Sequence, residues 1–141
     1  MESIEEIENE IVEEFAMFDD WMQKYEYLID LGKSLPLINE KYKTEDNIIK
    51  GCQSQVWMHS ELIDGKVIYT ADSDAIITKG MVALMIRVLS NHTPDEIINA
   101  ELDFIGKIGL TQHLSPTRSN GLLSMIKQMK LDAVAYKTKN I

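Results

Sequence analysis

Cys52 is the only cysteine in this chain and the side chain best suited to covalent chemistry. On residue type alone, a single cysteine is most often a small buried hydrophobe. The setting here is different. Cys52 follows Gly51, where the backbone is unusually free, and precedes the polar run Gln53-Ser54-Gln55, so it stands at the mouth of a loop. Lys50 adjoins it in sequence and would favour the thiolate. With an ordinary thiol pKa, only about 3% is thiolate at neutral pH. A lone thiolate can still attack a sulfane sulfur, by analogy with thiol–disulfide exchange. That step needs a nucleophile and access to it, and no acid–base pair in the same chain.

Other constellations are poorly supplied. A cysteine hydrolase needs a histidine close to its nucleophile. His59 lies seven residues further along an extended run, about 23 Å away if that run is straight. His92 precedes a helix start and reads as loop. His113 sits in an irregular stretch and is the one histidine able to fold back. One cysteine and three scattered histidines give no zinc pattern, and a cluster scaffold needs several thiolates. Gly106-Lys107-Ile108-Gly109 lacks the spacing of a phosphate loop, and the eight methionines read as core filler.

Bulk composition narrows the class further. The 141 residues suit a single domain, residues 1–141, with 45% hydrophobic and 26% charged residues. A formal charge of -9 opposes binding to nucleic acid or anionic lipid and favours basic protein partners. The N-terminal segment is rich in glutamate, which reads first as a solvated helix face and second as a docking patch. With one cysteine, an internal disulfide is impossible. The acidic start does not look like a signal peptide, and the longest apolar run, Met81 to Ile86, is too short to span a membrane. The expected compartment is the cytoplasm.

The elements that must position Cys52 follow from periodicity. Ile4, Ile7, Ile11, Phe15 and Phe18 mark an amphipathic helix. Asp20, with Gln23 returning the bond, caps a second helix carrying Trp21, Tyr25, Leu28 and Ile29. Gly32 and Pro36 read as its stop. Residues 37 to 50 read as a long connection. Residues 53 to 70 then alternate around Asp64-Gly65, a strong turn signal, and predict an antiparallel hairpin. Asp72 or Ser73 starts a helix that is apolar nearly all round, and Gly80 within it implies close packing. Thr93-Pro94-Asp95-Glu96 is a capping box. Ser115-Pro116 opens a last helix with Leu122, Ile126, Met129 and Ala133 on one face. The class is α+β, with helices around one small antiparallel sheet.

The segment Gly51-Cys52-Gln53-Ser54-Gln55-Val56-Trp57 resembles the signature of the SufE family of cysteine desulfuration proteins, which includes CsdE. Three further blocks match in order. They are Trp21 with Lys24-Tyr25 through Leu35-Pro36, then Asp72-Ser73-Asp74-Ala75 with Lys79-Gly80, and finally Leu110 to Pro116 with Arg118-Ser119 and Gly121-Leu122. The likeness covers roughly residues 21 to 126.

The resemblance implies a fold shared with IscU-type scaffolds, without their three cysteines. It implies that Cys52 accepts sulfane sulfur as a persulfide from a SufS-like cysteine desulfurase, stimulates that enzyme, and delivers the sulfur to a SufB or SufBCD-like iron–sulfur scaffold. The pyridoxal phosphate belongs to the desulfurase, so no cofactor is expected here. The protein would be an accessory sulfurtransferase and not an independent catalyst. The resemblance also implies a resting thiol tucked against apolar side chains and exposed on docking. Gly51, Gln53, Gln55, Asp74, His113 and Arg118 are the candidate loop or partner contacts; the plainer readings are a helix cap for Asp74 and an ion pair for Arg118. The alternative function is a noncovalent adaptor that stimulates the desulfurase without carrying sulfur.

Overall fold

The computed structural model describes residues 2–139. Its elements are α1 (Ile4–Ala16), α2 (Trp21–Lys33), β1 (Val56–Ile63), β2 (Lys66–Ser73), α3 (Ile76–Leu89), α4 (Pro94–Asn99), α5 (Phe104–Lys107), α6 (Leu110–His113) and α7 (Pro116–Lys139). This is the expected α+β arrangement: among the described residues, seven helices surround a two-stranded antiparallel sheet.

Asp64-Gly65 makes the turn, with both residues at positive φ, and Ile63 faces Lys66 across it. The strands alternate inward and outward. Val56 and Met58 of β1 and Val67, Tyr69 and Ala71 of β2 turn inward to the core. The Tyr69 hydroxyl donates to the Met129 carbonyl of α7 at 2.7 Å, tying sheet to helix. α3 is buried nearly all round and packs on α2, β2, α1 and α7, as its composition predicts. Thr93 and Glu96 form the expected capping box of α4.

Four expectations are revised. The hairpin strands begin at Val56, not at Gln53: Val56 faces Ser73, the last residue of β2, and before it the Gln55 backbone is held by the side chains of Ser73 and Asp74. Gly32 is not a stop. It lies inside α2, which ends at Lys33, and it faces Gly80 of α3 so closely that an added Cβ would sit 3.0 Å from the Gly80 nitrogen. α3 is capped by neither Asp72 nor Ser73; its first flanking residue is Ala75, and Asp72 pairs with Lys43 and Lys79. The stretch around His113 is not irregular, for α5 and α6 each make one short turn of helix there.

The connection from 37 to 50 holds two 3-10 turns and borders both strands. Ile38 N–H donates to the Ala71 carbonyl, and Ile49 N–H donates to the Val56 carbonyl. The second bond fixes the chain three residues before Cys52.

Some of the N-terminal acid is structural. Glu14 accepts two bonds from Arg87, at 2.7 and 2.6 Å, and one from the Tyr27 hydroxyl, joining α1 to α3 and α2. The Arg87 hydrogen bond holds the Glu14 carboxyl below the usual range, against the opposing effect of burial. A lowered folded-state pKa contributes stability above the unfolded value, and that contribution is lost as pH falls through the folded one. Glu14→Gln is therefore expected to cost about 2 kcal/mol at neutral pH. The difference from wild type should shrink as pH falls below the usual carboxylate range, read from urea unfolding at neutral and acid pH.

Candidate functional site

Cys52 sits on a short loop laid across α7. Gly51 holds φ at 96°, a value that favours glycine, and a Cβ there would meet the Ser124 hydroxyl of α7 at 2.4 Å. Cys52 itself is partly buried, and its Sγ lies 3.6 Å from the Gly121 carbonyl, the acceptor for its S–H. Gly121 is the second glycine of this contact: a Cβ on it would stand 3.5 Å from the Cys52 sulfur. The thiol faces a narrow cleft of about 70 Å³, walled by Thr78 and Met81 of α3 and by Arg118, Gly121 and Met125 of α7.

The far end of the loop is fastened to the start of α3. Asp74 Oδ1 accepts the Gln55 N–H at 3.0 Å, while the Ser73 hydroxyl donates to the Gln55 carbonyl at 2.9 Å. Asp74 therefore caps the cysteine loop, not the helix.

Burial pushes the Cys52 thiol pKa up. The exposed Lys50 side chain does not counter that effect, so the expected activation by sequence adjacency is absent at rest. A thiol held protonated is slow to react and slow to oxidise. Among the described residues, no three His, Cys, Asp or Glu side chains gather closely enough to hold a metal ion.

His113 is not brought to the cleft. Its ring stacks on Trp21 at 3.9 Å, its Nδ1 faces the Gly109 carbonyl at 2.9 Å, and its own carbonyl accepts from the Tyr25 hydroxyl. His59 stacks on Tyr42, and His92 is buried between backbone carbonyls. The Cys52 cleft thus has no histidine in its lining. Arg118 reaches it and is exposed; it makes no ion pair among the described residues, so its plainer reading fails. A wider cleft of about 490 Å³, between α1 and the α4–α5 region, is lined by Glu5, Glu8, Glu96, Glu101 and Asp103 together with Lys107, and Cys52 is not in its lining.

Comparison with known proteins decides the family. The SufE family, described as an Fe-S metabolism associated domain, matches residues 9–133. The chain belongs to the SufE family. It is 40% identical over 130 residues to an uncharacterised SufE-like protein of Rhizobium meliloti (strain 1021), covering 89% of this chain and 93% of that one. A SufE-like protein of Synechocystis is 43% identical over 126 residues, covering 89% and 79%. The chloroplastic/mitochondrial SufE-like protein 1 of Arabidopsis thaliana is 40% identical over 131 residues, which is 92% of this chain and 35% of that longer one. In structure, a hypothetical protein from Thermus thermophilus, solved in solution, superposes with a TM-score of 0.78 at 18% identity. The match covers 94% of this chain and 96% of that one and supports the fold. No helix among the described residues of this SufE-family chain is long and apolar enough to cross a membrane.

Thr78, Met81 and Met125, which wall the Cys52 cleft, carry no signal of such a role in the sequence. The available signal is Gly121, a glycine inside a helix, which marks a close approach. If Asp74 fastens the loop, Asp74→Ala frees the Gln55 N–H and loosens the seat of Cys52. Alkylation of Cys52 by iodoacetamide should then run about fivefold or more faster than in wild type, at unchanged helical content. Equal rates would mean that Asp74 does not hold the loop.

Proposed function

We propose that this protein is a sulfur carrier, which takes sulfane sulfur onto Cys52 from a pyridoxal-phosphate cysteine desulfurase and passes it to an iron–sulfur assembly scaffold. The observation that carries the reading is the seat of Cys52. A single thiol sits on a loop fixed by two glycine contacts and one carboxylate, with no histidine lining its cleft and, among the described residues, no metal site. That arrangement suits a thiol kept quiet until a partner arrives better than an independent catalyst. Membership of a family associated with Fe-S metabolism supports the same reading.

The step balances without an added oxidant or reductant. Cys52 first loses its proton. Its thiolate attacks the terminal sulfur of the donor's cysteine persulfide, and a new S–S bond forms at Cys52. The donor's S–S bond breaks, with its electron pair leaving on the donor's cysteine as thiolate. Because burial disfavours the thiolate, the loop must leave its cleft for the reaction to be fast. Delivery to the scaffold repeats the exchange in the other direction. The same chemistry makes the protein an accessory to the desulfurase, which it would stimulate by clearing sulfur from its active cysteine. A SufS-like donor and a SufB or SufBCD-like acceptor are the partners this function requires, and the cytoplasm is the compartment it suits.

The test is incubation with the cognate desulfurase, pyridoxal phosphate and cysteine, followed by intact mass. The expected result is a gain of about one sulfur atom, confined to the Cys52 peptide and removed by a thiol reductant. An active desulfurase in a confirmed complex that leaves the mass unchanged would overturn the proposal.

A further inference from the structure

α7 has two apolar faces. One is buried: Leu122, Met125, Met129 and Ala133 pack into the core. The other is not. Leu123, Leu131 and Val134 are 62%, 51% and 45% exposed, and with Lys127 they follow the spacing i, i+4, i+8, i+11 that aligns residues along one helix face. Single exposed leucines need no explanation, but a stripe in helical register does. Leu123 adjoins Ser124, the residue on which Gly51 rests, so the stripe starts at the cysteine loop.

Charge adds a second observation. The chain carries -9 overall, yet Lys50, Arg118 and Lys127 all stand exposed around this end of α7. None of the three makes an ion pair among the described residues. An acidic protein that keeps three such cations beside its one nucleophile offers complementarity to a carboxylate-bearing partner.

We propose that the Leu123–Lys127–Leu131–Val134 stripe, with Lys50 and Arg118 at its head, is the docking surface for the sulfur-donating protein, which meets it with an apolar groove rimmed by carboxylates. The occupant follows from continuity. Sulfur transfer requires the donor's persulfide to touch Cys52 Sγ, so the donor must cover the loop, and the stripe extends directly from it. This rests on the carrier reading of Cys52. It also moves docking away from the glutamates of α1.

The test is the affinity of the full chain for the cognate desulfurase, titrated with the double variant Leu123→Asp/Leu131→Asp, with Lys127→Glu, and with Met17→Asp as a control. Met17 is 79% exposed at the end of α1, outside the stripe. The double variant should bind about tenfold or more weakly, with unfolding midpoint unchanged and sulfur acceptance restored at saturating desulfurase. Lys127→Glu should weaken binding and flatten its salt dependence. Met17→Asp should bind as wild type does. An affinity within about twofold of wild type for the double variant would overturn the proposal. So would an equal loss in Met17→Asp, or loss of self-association with desulfurase affinity intact, which gives the stripe to a second copy. A wild type that binds but accepts no sulfur defeats the carrier reading alone, because the affinity series is read without transfer.

Discussion

Cys52→Ser is expected to abolish sulfur acceptance while leaving the complex with the desulfurase intact. Serine keeps the shape of the side chain and can make the same bond to the Gly121 carbonyl, so the loop and its seat on α7 should survive. What is lost is the nucleophile. A serine hydroxyl is far less acidic than a thiol, and no histidine lines the cleft to activate it. Stimulation of desulfurase turnover should fall to the level seen without the protein, and affinity should stay within about twofold of wild type. A noncovalent adaptor would instead keep its stimulation in this variant. Turnover assays of the desulfurase with wild-type and Cys52→Ser protein separate the two.

The second large effect is on folding. Gly80→Ala should destabilise the protein by about 3 kcal/mol, at the upper end of the cost of overpacking. The added Cβ would lie 2.2 Å from the Leu28 carbonyl oxygen and 2.7 Å from the Leu28 carbonyl carbon, both backbone atoms of a packed helix. Neither can swing aside as a flexible side chain can. α2 and α3 would have to part by about 1 Å to restore contact distance, and α3 is the core helix. Alanine's better helix propensity returns only about 1 kcal/mol. The same substitution at Gly106 meets open space and is expected to be neutral or stabilising by about 0.5 kcal/mol. Urea unfolding of the two variants makes the comparison; a Gly80→Ala midpoint equal to wild type would show that the helices are not in such close contact.

The glycines of this helix pair illustrate what the sequence can and cannot convey. Gly80 is readable as a close approach because it interrupts a strongly apolar helix. Its partner Gly32 reads as a helix stop, since a glycine followed by Pro36 has the pattern of a terminus and nothing local reveals the helix across from it. The hairpin turn, the capping box and the core helix are legible for the same reason: each is set by residues a few positions apart. α5 and α6 are four residues each, too short to show any period.

The site divides the same way. Cys52 stands out by its type and its neighbours. The groups that hold it do not, because they lie far along the chain. Asp74 grips Gln55 from 19 residues away, and Gly121 supports the thiol from 69 residues away. Arg118 reaches the cleft because Pro116 starts α7 beneath the loop. His113 matches the family block, and its ring packs on Trp21 instead of lining the Cys52 cleft.

Single-turnover transfer tests the central claim most directly. Desulfurase is charged with cysteine, freed of excess substrate, and mixed with an equal amount of this protein; the masses of both chains are then followed in time. The account predicts that the desulfurase loses one sulfur atom as this chain gains one at Cys52. A desulfurase that keeps its sulfur in the assembled pair, or that loses it to solvent with Cys52 unmodified, would contradict it.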